Sequence, residues 1–393
     1  MTTVLGVIVA IVGLGFLILA HEFGHFIVAK ATGMRVEEFS IGFGRYLISK
    51  RIGETVYGIS VLPLGGYVRV TGMHREEFEA RIAEAREKEA ESRAEPELAS
   101  TKKRRPQDPE DRLAGPRALT ADEIAATPVE RRYYSHSFLH KMAFIIAGVT
   151  MNVVVAFLLL FSVALYQGES VVSTTIEQVS SGTPAAAAGI QPGDKVVGVA
   201  GHDVSSWEEV RTQILTHPGE SITIVVDRQG QQVTLTATQQ KQSDGTGFLG
   251  VQPGVTHENL GFFGAISYAA KTTASMVKLI FVGLKMLFTG QAKVTGSQGL
   301  AGPVGIIQLS SDAFRGGYYL SLLALISINL AIVNMLPVLP LDGGHVLFSI
   351  IERIRGKSIS LRVFEQVSMI GLLIFAALFI LATSNDIGRI FGG

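Results

Sequence analysis

The chain contains a short run of ionisable residues, His21-Glu22-Phe23-Gly24-His25, directly after an uncharged apolar stretch. On a helix, two histidines four residues apart project from one face, so both imidazoles could hold one zinc ion. Glu22 is offset by one residue, which would let its carboxylate take a proton from attacking water and pass it to a leaving amine. Because ionisable groups at the end of an apolar helix cost free energy, the run predicts a zinc-dependent hydrolytic site rather than a hydrogen-bonded helix end.

A hydrolytic zinc needs a third protein ligand and an open position for water. After His25 the next histidine is His74, at the edge of a strongly charged segment, whereas Asp342 and His345 follow another apolar run. Asp342 is the better candidate, because it follows a proline-broken helix whose exposed backbone is tolerated at membrane depth only around a buried or watered site. An Asp-Gly turn without a ligand is the alternative. His345 could be a ligand, a hydrogen-bonding neighbour of a ligand or a loop residue.

The elements that carry these residues are predicted from the distribution of charge. Only 17% of the 393 residues are charged, and the 34 basic and 34 acidic side chains cancel, whereas an ordinary soluble domain is about a quarter charged. Four stretches contain no charged residue, and each is close to the length of about 20 residues that crosses a bilayer. They are Val4–Ala20, Met142–Gly168, Tyr318–Leu341 and Val367–Asn385. We therefore predict a polytopic α-helical membrane protein with four transmembrane helices, within residues 1–30, 138–168, 318–341 and 365–385.

Basic residues predict the orientation of these helices. More than half of the 34 basic residues lie between Lys30 and Lys141, and basic loops stay on the cytoplasmic side. Both termini are therefore expected outside the cytoplasm, with the His21 and Asp342 ends of their helices near the cytoplasmic side. Residues 73–132, of which nearly half are charged, are expected to form a cytoplasmic insertion. It is interpreted as a solvated linker, with the alternative that Lys102–Arg105 touches anionic headgroups. The zero net charge gives no support for nucleic acid as a partner.

The longer outer connection is expected to hold a small α/β domain over residues 173–240. Within it, Pro184–Val196 resembles the signature of bacterial PDZ domains, which bind extended peptides by adding a strand to a sheet edge. A packing domain without a ligand is the alternative. Residues 262–290 carry lysines at positions 271, 278 and 285, which predicts an amphipathic helix at the membrane interface.

The two ionisable motifs together resemble the site-2 protease family of intramembrane zinc metalloproteases, and most closely its bacterial regulator-of-sigma-E branch with a single outward PDZ domain. The resemblance implies zinc on His21, His25 and Asp342, with Glu22 as the catalytic base and Asn334 holding substrate or stabilising the oxyanion. Further matching segments are Phe39–Gly44, Leu62–Val68, Leu300–Pro303 and Gly148–Asn152, the last without the proline that the family has there. The second proline of the Asn334 segment, Pro340, also lies one place later than in the family.

The resemblance also implies a substrate class and a location. It implies cleavage within the transmembrane segment of pre-trimmed, single-span proteins, such as anti-sigma factors or remnant signal peptides, in the bacterial cytoplasmic (inner) membrane. Residues 31–72 are expected to form a membrane-associated β-hairpin region, in which Gly65 and Gly66 would let an unwound substrate approach an edge strand. A hairpin that only covers the helices is the alternative.

Two other classes of function remain open from the residues alone. A transporter could use intramembrane His, Glu and Asp as a proton or metal pathway, although the sequence lacks the paired halves of inverted repeats. A non-catalytic membrane scaffold displaying a PDZ module would need neither Glu22 nor Asp342.

Overall fold

The computed structural model describes residues 2–73, 75, 78–80, 82–83, 121–242, 245–291 and 301–391. Most of the predicted insertion at 73–132 and the first residue of the Leu300–Pro303 segment therefore lie outside the described residues. The chain divides into two compact units, which we call unit 1 (Met1–Phe161 with Ala269–Gly393) and unit 2 (Ser162–Tyr268).

Three helices of the described chain are long and apolar enough to cross a membrane. They are α1 (Thr2–Ala31), α3 (Phe138–Gln167) and, at the end of the chain, α10 (Leu361–Phe391), and their span-like segments have mean hydropathies of 2.2, 2.6 and 2.4. A short helix, α2 (Ala121–Ala125), precedes α3. Long apolar runs form helices here because a helix satisfies every backbone polar group within its own segment.

The predicted third span is not one helix. Helix α8 (Tyr319–Asn334) has 16 residues and is therefore about 24 Å long, shorter than the hydrocarbon core of about 30 Å. The chain leaves the helix at Met335, and α9 (Asp342–Arg355) begins only at the aspartate. Pro337 and Pro340 supply no backbone N–H, so a continuous helix through this segment would lose hydrogen bonds and clash with the preceding turn.

Helix α8 is held in register against α1 and α3 by hydrogen bonds along its length. The Tyr319 hydroxyl donates to the Val9 carbonyl at 2.6 Å, and the Ser327 hydroxyl donates to the Asn152 carbonyl at 2.8 Å. Ala324 and Ile328 are fully buried in a cluster with Ala156 of α3. The end of α8 is thereby fixed near the ionisable residues of α1.

After the long helix α1, the chain forms two strands, β1 (Val36–Ile52) and β2 (Thr55–Val70). Both strands are long enough to bend. The first part of β1 therefore has a segment of β2 on each of its two sides: Phe39 lies opposite Val68 on one side and opposite Tyr57 on the other. Residues 66–70 pair with β1 along one side only among the described strands. They form an edge of this sheet.

Unit 2 is built on an antiparallel sheet with the strand order β10-β3-β4-β6-β7, and β5 pairs with β4. Its elements, in chain order, are β3 (Glu169–Val179), α4 (Pro184–Ala187), β4 (Lys195–Val199), β5 (His202–Asp203), α5 (Trp207–Leu215), β6 (Ser221–Arg228), β7 (Gln231–Thr238), β8 (Gln240–Lys241), β9 (Gly247–Phe248) and β10 (Val251–Glu258). The sheet therefore continues beyond residue 240, because β10 pairs with β3. Helix α6 (Gly261–Phe288) follows, and α7 (Pro303–Arg315) precedes α8.

A buried ion pair joins β6 to the turn that precedes β4 in unit 2. The Asp194 carboxylate, in a residue that is 1% exposed, accepts hydrogen bonds from Arg228 at 2.7 Å and 2.8 Å and from the Gln191 backbone N–H at 2.8 Å. The Arg228 guanidinium holds the pKa of Asp194 below its usual range. The folded state therefore binds a proton less readily than the unfolded chain, whose aspartates have a pKa of about 3.9.

We expect Asp194→Ala to lower the free energy of unfolding of unit 2 by about 1–3 kcal/mol at pH 7, because Arg228 and Gln191 lose their acceptor. The contribution is fully present above pH of about 4 and is lost as the pH falls through the lower, folded pKa. Trp207, the single tryptophan, packs against the unit 2 core, so denaturant titration followed by its fluorescence measures this unit within the full chain. Asp203→Ala, at an exposed position, is the control, and equal midpoints for the two variants would contradict the prediction.

Candidate active site

His21 and His25 of α1 and Asp342 at the start of α9 meet inside unit 1. The two histidines are 7% and 6% exposed. Their Nε2 atoms lie 3.3 Å apart, and Asp342 Oδ2 lies 3.2 Å from His21 Nε2 and 3.4 Å from His25 Nε2. Three potential ligand atoms therefore form a nearly equilateral triangle.

This triangle fits a zinc ion. Tetrahedral zinc with nitrogen and oxygen ligands at about 2.0–2.2 Å separates its ligand atoms by about 3.3–3.6 Å, close to the three distances in the triangle. Asp342 Oδ2 is buried and has no hydrogen-bond donor among the described residues, as expected of an atom reserved for a cation. Two imidazoles and one carboxylate are also a donor set that zinc prefers, and it leaves the fourth position open.

Helix α3 orients the two imidazoles. His25 Nδ1 donates to the Phe144 carbonyl at 2.8 Å, which leaves its Nε2 lone pair facing the triangle. His21 Nδ1 lies 3.2 Å from the side-chain amide nitrogen of Asn152, whose Oδ1 is buried without a partner in the described chain. A half-turn of this carboxamide would present Oδ1 to His21 Nδ1–H, the tautomer that frees Nε2 for a metal.

Glycines allow α1 and α3 to approach this closely. A Cβ on Gly148 would lie 2.7 Å and 2.8 Å from ring atoms of His21 and closer still to Nε2 of His25. A Cβ on Gly24 would lie 2.8 Å from the Met151 side chain. Sequence reasoning missed Phe144, and it noted Gly148 and Asn152 only as ends of a motif, because a contact between helices has no signal within either helix alone.

Glu22 faces the same cavity as the triangle. The cavity has a volume of about 200 Å³, and its lining includes Glu22, the three triangle residues, residues 66–68 of β2 and His345. A Cβ on Gly66 would lie 2.8 Å from Glu22 Cγ, so only glycine lets the strand pass beside this carboxylate. Gly65 adopts a φ of +142°, which also favours glycine.

The remaining predicted residues lie at or near this cavity. Asn334, the last residue of α8, places its side-chain amide nitrogen 3.5 Å from His21 Nε2. His345 lines the cavity and packs on the Phe364 ring at a centroid distance of 5.5 Å, but it is outside the triangle. Gly344 approaches the Leu339 backbone so closely that a Cβ would lie 2.6 Å from its nitrogen. The first turn of α9 is thereby held against the loop that precedes it, which fixes Asp342.

The family model described as Peptidase family M50 matches residues 9–378. The chain belongs to peptidase family M50. This M50 peptidase is 31% identical to the zinc metalloprotease RasP of Bacillus licheniformis, over 98% of the chain and 99% of the relative. It is 30% identical to the regulator of sigma-W protease RasP of Bacillus subtilis, with the same coverage of 98% and 99%.

Solved structures match a smaller part of this M50 peptidase. A PDZ domain of an SdrC-like protein from Listeria innocua matches 22% of the chain and 98% of its own length, at 18% identity and a TM-score of 0.20. The matching domain from Listeria monocytogenes covers 21% of the chain and 86% of its own length, at 18% identity and a TM-score of 0.19.

Family membership decides between the classes of function that the residues left open. The predicted resemblance, the metalloprotease class and the zinc cofactor are confirmed at the level of the family, and the transporter and scaffold alternatives lose their support. The chain is a membrane protein with three span-capable helices in its described part.

Proposed function

We propose that this M50 peptidase hydrolyses a peptide bond within an unwound transmembrane segment, with zinc held by His21, His25 and Asp342 and with Glu22 as the proton-transfer group. The observation that carries the proposal is that one cavity is lined by the ligand triangle, by Glu22 and by the strand edge at residues 66–68. A metal site, a base and a surface for extended peptide are the three parts that such a hydrolysis needs.

Zinc, when bound, supplies a Lewis acid that polarises a carbonyl and makes water more acidic. The residues of the chain do the rest. Glu22 accepts a proton from the attacking water and delivers it to the amide nitrogen as the C–N bond breaks. The hydrogen bond from His25 to the Phe144 carbonyl holds this imidazole with Nε2 unprotonated. Asn334, close to His21, is placed to donate its amide N–H to the developing oxyanion.

Substrate is proposed to bind as an added strand. A peptide bond in a transmembrane helix is shielded by its own helical turn, so the segment must become extended before water can attack. The edge at residues 66–68 borders the cavity beside Glu22, and an edge strand offers unpaired backbone groups to an extended peptide. Gly66 allows that peptide to approach the carboxylate closely, whereas a Cβ on Gly65 would meet the Phe43 ring.

Four membrane crossings are proposed, with the third made of two short helices. Helices α1, α3 and α10 provide the first, second and fourth crossings, and α8, the loop at residues 335–341 and α9 provide the third. A helix broken at membrane depth is tolerated where its free backbone groups face a watered cavity, and here the break supplies Asp342. The distribution of basic residues supports both termini and unit 2 on the outer side of the bacterial cytoplasmic membrane.

Unit 2 is proposed to be a PDZ domain, on the strength of the Pro184–Val196 motif, and to admit substrates that have already been trimmed outside. The name of the Bacillus subtilis relative, regulator of sigma-W protease, supports single-span anti-sigma factors as substrates. Remnant signal peptides share the same chemistry, a single apolar segment with little mass outside the membrane.

The Asp342→Asn variant tests the ligand assignment. We expect its zinc affinity to fall by at least about 10-fold, because a neutral carboxamide replaces an anionic ligand, and its cleavage of a single-span reporter in proteoliposomes to fall with it. Metal analysis after dialysis against a weak chelator measures the bound zinc. Asp312→Asn in α7, outside the triangle, is the matched control. Equal zinc content in both variants would remove Asp342 from the ligand set.

A further inference from the structure

A second cavity in unit 1 has a volume of about 520 Å³ and lies between the residues that precede α3, the end of α9 and the start of α10. Met73 lines both this cavity and the active-site cavity, so the two are neighbours. Its other lining residues are separate from the ligand triangle and from Glu22. The proposed hydrolysis assigns this cavity no role.

The cavity carries an excess of positive charge. Arg75, Lys141, Arg353 and Lys357 line it, against the single lining carboxylate of Glu352. Within the described ranges neither Arg353 nor Lys357 has an ion-pair partner, whereas Arg75 pairs with Glu79 at 2.9 Å. Lys141 Nζ donates to the Tyr134 carbonyl at 3.1 Å. Unpaired cations that converge on a concave surface attract an anion with several acceptor oxygens.

The N-termini of two helices and the orientation of Glu352 strengthen the preference of this cavity for an anion. Phe138 and Leu361, the first residues of α3 and α10, both line the cavity, and helix N-termini favour negative charge. The Glu352 Oε1 atom accepts a hydrogen bond from the Ile359 backbone N–H at 2.9 Å. This carboxylate is therefore partly engaged within the chain and competes less with an anion for the basic side chains.

The position of the cavity indicates the source of the anion. Both span-like segments, Phe138–Gln167 and Leu361–Arg389, begin at the residues that line it, so the cavity opens at the boundary between water and lipid. Leu139 and Ile354, adjacent in sequence to lining residues, are 75% and 80% exposed. Large apolar side chains at such a boundary contact acyl chains, which a free phosphate ion lacks.

We infer that this cavity binds the phosphodiester of an anionic phospholipid headgroup, with Arg353, Lys357 and Lys141 contacting the phosphate and with Leu139 and Ile354 beside the acyl chains. Basic pockets between membrane helices on the cytoplasmic side are known to hold anionic headgroups. The site is independent of the proposed hydrolysis.

Native mass spectrometry of the detergent-solubilised chain tests this inference by counting retained lipid after addition of phosphatidylglycerol, phosphatidylcholine or inorganic phosphate. We expect one tightly retained phosphatidylglycerol and little phosphatidylcholine. The double variant Arg353→Gln/Lys357→Gln should retain phosphatidylglycerol about 30-fold less well, since each cation near a membrane surface contributes about a 5-fold effect. Arg355→Gln, on the same helix but outside the lining, should retain lipid as the unchanged chain does.

Three results would overturn the inference. Equal retention of phosphatidylcholine and phosphatidylglycerol would show that the net charge of the lipid is not recognised. A loss of lipid in the Arg355→Gln control as large as in the double variant would show that only general surface charge matters. Displacement of phosphatidylglycerol by millimolar inorganic phosphate would assign the cavity to a soluble anion. Unchanged zinc content and unchanged helical content by circular dichroism in the double variant confirm that a loss of lipid is not a loss of fold.

Discussion

Replacing Glu22 with Gln is expected to lower the rate of cleavage of a single-span reporter by at least about 100-fold, the lower end of the usual contribution of a positioned acid–base group. Glutamine has the shape of glutamate but cannot accept a proton from water. Because Glu22 is outside the His21, His25 and Asp342 triangle, we expect the variant to keep its zinc. The variant should therefore separate catalysis from metal binding.

The measurement combines reporter cleavage in proteoliposomes with metal analysis of the same preparation. Glu365→Gln, at an exposed position of α10, is the matched control and should cleave at the unchanged rate. Full cleavage by Glu22→Gln would exclude the carboxylate as the proton-transfer group. A loss of zinc would instead assign Glu22 to the metal site. An inactive variant that keeps its zinc should also retain bound substrate, so proteins that co-purify with it identify the natural substrate.

Much of the site was predictable from local sequence, because its central motif lies within one helix. The spacing of His21 and His25 places both on one face of any helix, whatever surrounds it. Asp342 was predictable from the expected topology, since an acidic residue at the predicted cytoplasmic end of an apolar run would lie at the depth of the histidines. These predictions needed periodicity, charge and length alone.

The contacts between helices were not predictable in the same way. Phe144 contributes a backbone carbonyl to His25, which no residue type encodes. Asn152 reaches His21 only because Gly24 and Gly148 bring α1 and α3 together. A polar residue in an apolar span signals a function, but its partner is set by packing.

Two elements of the structure differ from the sequence prediction, and each difference has a physical cause. The predicted span at 318–341 contained two prolines, and in the structure its helix, α8, ends at Asn334 and is followed by a loop up to the start of α9 at Asp342. The sheet of unit 2 extends to β10 although Pro253 and Gly254 weaken a strand pattern. Pairing with β3 outweighs that local preference, since Pro253 lies where the register is irregular.

The broken helix is the feature that connects fold to chemistry. A continuous third span would satisfy all its backbone groups and would present only side chains to its neighbours. The break lets α9 start with Asp342 beside the histidines, and Gly343 and Gly344 let its first turn press against the backbone at residues 335–339. A carboxylate on a helix N-terminus is also favoured by the helix dipole, so the Asp342 side chain is positioned before any metal binds.

Gly148→Ala is expected to abolish zinc binding and cleavage while leaving most of the fold intact. The added methyl group would lie within contact distance of both imidazoles, and a buried ring can make room only by rotating away from its Nε2 position. A displacement of about 1 Å in a ligand costs about 100-fold in activity, and loss of the triangle should cost more in metal affinity.

Gly15→Ala is the matched control, because a Cβ at this position of α1 meets no atom within 4 Å. Alanine is the better helix former, so the control should keep its zinc, its cleavage rate and its thermal stability. Zinc affinity by chelator competition and helical content by circular dichroism distinguish a blocked site from a misfolded chain. Full zinc binding by Gly148→Ala would show that α3 can move away from the histidines, and that the close approach of α1 and α3 is not what orients them.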